Sequence, residues 1–139
     1  MAVLPSSLQE KEGRRRGLRI ALATMSHRKE ALKVLFVMGI MDQFECILTK
    51  NDVELGKPHP EIYQLAAQKL SLPSNQCLVL EDSVNGIKAA QSAGMPVFAL
   101  TNAVTRNSVH EAQLLQREYI LDDLTEAQEA VFDYLQSGS

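Results

Sequence analysis

The sequence contains no tryptophan, and aromatic residues make up only 5% of its 139 positions. That is too few for a surface that reads single-stranded nucleic acid by stacking bases. A basic excess is also lacking: the formal net charge is −3, so nothing draws the chain broadly to a phosphate backbone. The triplet Arg14-Arg15-Arg16 is the sole basic run, and it reads as a helix end where cations suit the dipole. No apolar stretch approaches the ~20 residues of a membrane span. The opening residues have no apolar signal region, so a cytoplasmic location is expected. Only two cysteines occur, Cys46 and Cys77. They lie in short apolar runs and read as buried strand thiols in a reducing compartment, with no disulfide framework. GxGxxG and GxxxxGK[ST] are both absent, which leaves dinucleotide and P-loop readings unsupported. His27, His59 and His110 have no metal-ligand spacing. Met38 and Met41 read as core.

What is present suits one domain spanning residues 1–139, with a hydrophobic fraction of 45%. Residues 6–16 have helical composition between Pro5 and Gly17. Residues 18–24 (LRIALAT) read as a buried strand, and 27–38 as a helix with Ser26 as its N-cap. A second strand follows at 45–49, then a loop forced by the turn residues of NDVELGKPHP at 51–60. Helix 60–70, strand 77–80, helix 83–93, strand 96–100, helix 107–117, a small strand at 119–121 and helix 125–136 complete the chain. Continuous apolar strands joined by helices predict an α/β fold with a parallel sheet covered on both faces. In such sheets the site lies beyond the carboxyl ends of the strands. That places Thr24 and Ser26, Thr49 and Lys50, Glu81 and Asp82, and Thr101 and Asn102 at one edge.

Three groups there could carry chemistry. Glu81 and Asp82 are adjacent carboxylates at a strand end, where repulsion and partial burial favour a cation. A hard ion such as Mg²⁺ would offset both. The plainer reading is a solvated pair, with Asp82 or Ser83 capping the next helix. Lys57, held between Gly56 and Pro58, could grip a phosphate or carboxylate as a point charge, or be one more surface lysine. Thr24 and Ser26 could bind an anion at a helix start, or simply cap it.

Taken together these segments resemble a known family. LRIALATMS is similar to the second motif of haloacid-dehalogenase-like hydrolases, LGKPHPEIY to the third, and LVLEDSVNGIKAAQSAGM to the fourth. They occur in the family's order, and the resemblance covers about residues 3–135, pointing to the β-phosphoglucomutase and phosphoglycolate-phosphatase branch. It implies a three-layer Rossmann-like core and Mg²⁺-dependent hydrolysis or transfer of phosphate on a small phosphorylated metabolite. By resemblance, Thr24 bonds the phosphoryl oxygens and Lys57 neutralises their charge. Asp82 and Glu81 take the metal, with no organic cofactor implied. The family's reaction passes through an aspartyl-phosphate.

One motif does not match. The family's first motif, DxDx[TV] at the end of a central strand, supplies the nucleophile and the general acid/base. No aspartate precedes Thr24 here. The sequence ILDDLTE at 120–126 has Leu124 and Glu126 where Asp and Thr or Val are required. The helical cap is missing too, and residues 3–17 resemble the segment returning from cap to core. A weak metal site and an inactive isolated chain are therefore expected. The alternative is a non-catalytic module that binds phosphate or a partner. Without the central strand, strands 18–24 and 77–80 would expose edges that invite self-association or completion by another chain, or would pair directly with each other.

Overall fold

The computed structural model describes residues 2–5 and 19–137. Its strands are β1 (Ala2–Pro5), β2 (Ala21–Ala23), β3 (Cys46–Leu48), β4 (Cys77–Glu81), β5 (Val97–Leu100) and β6 (Ile120–Leu121). Its helices are α1 (Arg28–Met38), α2 (Glu61–Leu70), α3 (Val84–Ser92), α4 (Arg106–Ala112) and α5 (Leu124–Ser137). The expected α/β alternation is present, and the helix proposed at 6–16, with its arginine triplet, lies outside the described residues.

The sheet runs β3-β2-β1-β4-β5-β6. β2 pairs parallel with β3, and β4, β5 and β6 pair parallel in succession. The centre differs from both arrangements anticipated from the sequence. β2 and β4 neither pair with each other nor stand open, because Ala2–Pro5 lies between them. It runs antiparallel to both, with Val3 opposite Ala21 on one side and Val79 on the other. A short apolar segment of opposite direction therefore holds the centre of the sheet. Its physical merit is plain: it occupies the ladder groups of two strands that would otherwise be edges.

Successive side chains of a strand point to opposite faces, and β4 shows this clearly. Cys77 and Val79 join a core formed with Ile62, Ala66, Ile87 and Ala90, so α2 and α3 cover that face. Leu78 joins Phe98, Leu121, Ala127 and Leu135 on the other face, under α5. The result is three layers. Each fully buried aliphatic side chain contributes ~1.5–3 kcal/mol. By the same alternation Glu81 falls on the face covered by α2 and α3.

Local signals were mostly legible. α1 ends at Gly39 in the left-handed region (φ 72°), and Ser83 caps α3 by accepting from the Gly86 N–H. Ser26 does not cap α1: the cap position is His27, without a side-chain bond. The Arg28 N–H instead donates to Asn51 Oδ1 at 2.7 Å, a partner from the loop after β3 that helical phase could not reveal. Met38 is not core either. It is 61% exposed, together with Val34, Phe36 and Val37 on α1, whose buried residues are Ala31 and Leu35. Cys77 is buried, Cys46 half-buried, and neither forms a disulfide.

Candidate active site

The loop before α2 delivers Lys57. Glu61 Oε1 accepts the N–H groups of Glu54 and Leu55, and the His59 N–H donates to the Gly56 carbonyl. Gly56 passes so close to Met25 that a Cβ there would meet Met25 Cε at 2.7 Å. The Lys57–Pro58 peptide is cis. The Glu61 and Gly56 contacts hold the loop against the core, and the Lys57 side chain is only 9% exposed.

Inside, Lys57 Nζ donates to Glu81 Oε2 at 2.6 Å and to the Ala23 carbonyl at 3.3 Å. Lys57 thus ties the carboxyl end of β2 to the carboxyl end of β4. Thr24 follows immediately, and its Oγ1 accepts the Ser26 N–H at 3.2 Å. Three of the residues singled out in sequence, Thr24, Lys57 and Glu81, are brought together around the Ala23 carbonyl, and Asp82 adjoins them.

Tyr63 belongs to the same cluster and was not anticipated. Its hydroxyl donates to Glu81 Oε2, the oxygen that Lys57 also uses, and its ring lies 5.1 Å from Lys57 Nζ. A signal was available: Ile62, Tyr63, Ala66, Ala67 and Leu70 share the buried face of α2, and a buried tyrosine hydroxyl requires a polar partner. Glu81 Oε1 accepts the Asp82 N–H at 3.0 Å.

Burial works against ionised Glu81, but the Lys57 charge and the hydrogen bonds from Lys57 and Tyr63 outweigh it and hold its carboxyl below the usual range. Burial, then the neighbouring Glu81 charge, pushes the Tyr63 hydroxyl upward. The same two causes, in the same order, raise Asp82. Adjacent carboxylates are thus driven in opposite directions by their surroundings.

The resemblance of these motifs implies Mg²⁺ at Glu81 and Asp82. Mg²⁺ requires near-octahedral oxygen coordination. Among the described residues no three His, Cys, Asp or Glu side chains gather to hold a metal. Glu81 already has partners on both oxygens, which leaves Asp82 as one partly exposed carboxylate. These residues alone do not fit the ion.

Polar residues after the other strands have separate duties. Thr49 and Asp52 form a reciprocal capping box. Thr101 donates to Asp122 Oδ1 at 2.5 Å, and His110 Nε2 lies 2.9 Å from Asp122 Oδ2.

The sequence model of the haloacid dehalogenase-like hydrolases matches residues 11–94. YhcW of Bacillus subtilis is 45% identical over 95 residues, which is 68% of this chain and 43% of that protein. A phosphorylated carbohydrates phosphatase of Thermotoga maritima is 32% identical over 114 residues, covering 78% and 53%. Among solved structures, CbbY of Rhodobacter sphaeroides in complex with phosphate superposes with a TM-score of 0.71 at 30% identity, over 83% of this chain and 51% of that one. The chain spans about half the length of the relatives it matches. With its Rossmann-like core and its matched motifs, the chain belongs to the haloacid dehalogenase-like hydrolases.

Proposed function

We propose that this chain is the phosphate-gripping part of a phosphatase or phosphomutase acting on a small phosphorylated metabolite, and that it does not turn over substrate by itself. The observation behind this reading is Lys57, an inward-turned cation fixed beside Thr24 at the carboxyl edge of the sheet. An ammonium held there neutralises charge on phosphoryl oxygens, and the Thr24 hydroxyl donates a hydrogen bond to one of them. Such placed charge is the main aid a protein gives to phosphoryl transfer. No step is assigned to Mg²⁺, because the described donors do not accommodate it.

A second reading, a non-catalytic phosphate-binding module, is favoured by β1. Its four residues, AVLP, contain no carboxylate, so the strand that fills the centre of the sheet brings no nucleophile. The relatives' phosphatase activity is proposed here only for a protein that supplies one. Completion by another chain is not needed to pair β2 and β4, since Ala2–Pro5 does so.

The test is a titration with inorganic phosphate alongside hydrolysis of a generic phosphate ester, for the native chain and Lys57→Met. Phosphate binding that is lost in the variant, without turnover in either protein, is expected. Ester hydrolysis abolished by Lys57→Met would overturn the inactive assignment. Absence of phosphate binding would overturn the grip itself.

A further inference from the structure

We infer that Glu81 is a positioning residue for Lys57 rather than a ligand for Mg²⁺, and that Tyr63 is the second anchor of that pair. The role of Lys57 toward phosphate rests on the function proposed above; the Glu81 assignment rests on geometry alone.

Both Glu81 oxygens are occupied within the fold. Oε2 accepts from Lys57 Nζ and the Tyr63 hydroxyl, and Oε1 accepts from the Asp82 N–H. The residue is 1% exposed. Gly86, in the first turn of α3, closes the remaining side so tightly that any Cβ there would collide with the Glu81 carboxyl group. A carboxylate so enclosed reaches a metal only by leaving Lys57 and Tyr63, which strands a cation and a hydroxyl without their acceptor. Mg²⁺ gives up its waters reluctantly, so little drives that exchange.

The arrangement has a positive use. An ammonium carries three donors. Among the described residues two are committed, to Glu81 and to the Ala23 carbonyl. Glu81 and the Ala23 carbonyl thereby fix the direction of the third, which remains for an oxygen of the ligand, and Tyr63 steadies the carboxylate. Tyr63 shares the charge on Oε2, so the carboxylate holds the lysine without drawing on all its donors.

The experiment is ¹H–¹⁵N spectroscopy of the lysine ammonium groups of the full chain, with Lys57→Met to assign the signal. A buried, hydrogen-bonded ammonium exchanges slowly with water and gives a protected signal. We expect one for Lys57, unchanged when Mg²⁺ is raised to millimolar levels and lost in Glu81→Gln. In Tyr63→Phe the signal should exchange several-fold faster while the amide spectrum stays folded. A Lys57 signal that Mg²⁺ shifts or erases overturns the assignment, as does the absence of any protected signal. An unaltered exchange rate in Tyr63→Phe removes Tyr63 from the role. Should Glu81→Gln fail to fold, the Mg²⁺ titrations of the native chain and Tyr63→Phe still decide. A metal-free titration with inorganic phosphate, run in parallel, reads the proposed function separately: no binding with a protected Lys57 signal refutes the phosphate grip and upholds the Glu81 assignment.

Discussion

Gly86 lies directly against the carboxyl group of Glu81, with no room between them for a Cβ. The glycine is in the first turn of α3, where its N–H is bound by the Ser83 cap, so the backbone cannot simply withdraw. Gly86→Ala is therefore expected to push Glu81 off Lys57. Overpacking of this kind costs about 1–3 kcal/mol. Urea unfolding should show that loss, and phosphate affinity should fall with it. Full phosphate affinity in a folded Gly86→Ala chain would separate the lysine's placement from Glu81.

Lys57→Met removes the cation from a carboxylate whose side chain is 2% exposed. Breaking one side of a buried pair costs about 3–5 kcal/mol. The pH dependence has a definite sign. Glu81 is held below its ordinary value of 4.5, so its contribution is present above that pH and lost as pH falls through the lower folded-state value. Asp82 has the opposite sign, because its folded-state value lies above 3.8 and ionising it weakens the fold. Asp82→Asn should raise the urea midpoint at neutral pH and lose that advantage in acid. In Lys57→Met, by contrast, the deficit relative to the native chain should narrow as Glu81 becomes protonated.

Asp122 joins β5, β6 and α4. It accepts from Thr101, contacts His110, and has the Arg106 and Arg117 guanidinium groups at 3.7 and 3.6 Å. Burial tends to raise its carboxyl, but the Thr101 and His110 hydrogen bonds, with the charges of His110 and Arg117, bring it below 3.8. Hydrogen bonds to a charged group contribute about 1.5–3 kcal/mol. Asp122→Asn should lower stability by that order at neutral pH and progressively less as acid protonates the native carboxylate. Phosphate binding at Lys57 should be unaffected.

α1 presents Val34, Phe36, Val37 and Met38 outward, with Phe36 at 75% and Val37 at 78% exposure. Phe36→Glu should change unfolding stability by less than about 0.5 kcal/mol. Light scattering at high concentration should show less self-association. A large destabilisation would mean that the helix face is covered in solution.

The sequence revealed most of what lies on either side of the sheet's centre. Continuous apolar runs at Cys46–Leu48, Cys77–Leu80 and Val97–Leu100 fixed the strands, and Gly39, Pro60 and Ser83 marked helix limits. Thr24, Lys57, Glu81 and Asp82 were visible because strand ends and a Gly-Lys-Pro turn position polar groups in a sheet of this kind. Tyr63 was hidden because it reads equally well as one more buried position of an amphipathic helix; its hydroxyl's partner lies 18 residues away. The exposed side of α1 was misjudged because methionine carries no directional signal. The central strand could not be foreseen. AVLP is too short to show a period, and nothing local specifies that it pairs with Ala21 and Val79 at once.

Direction matters more for that strand than for any other. In the flanking strands, chain polarity runs toward the chemical edge, so each can end there in a polar side chain followed by a turn. β1 approaches the same edge with its beginning, Ala2 being level with Leu22 and Leu80. It works as a keystone and not as a spoke: it locks the arch by pairing on both sides, against the direction of its neighbours.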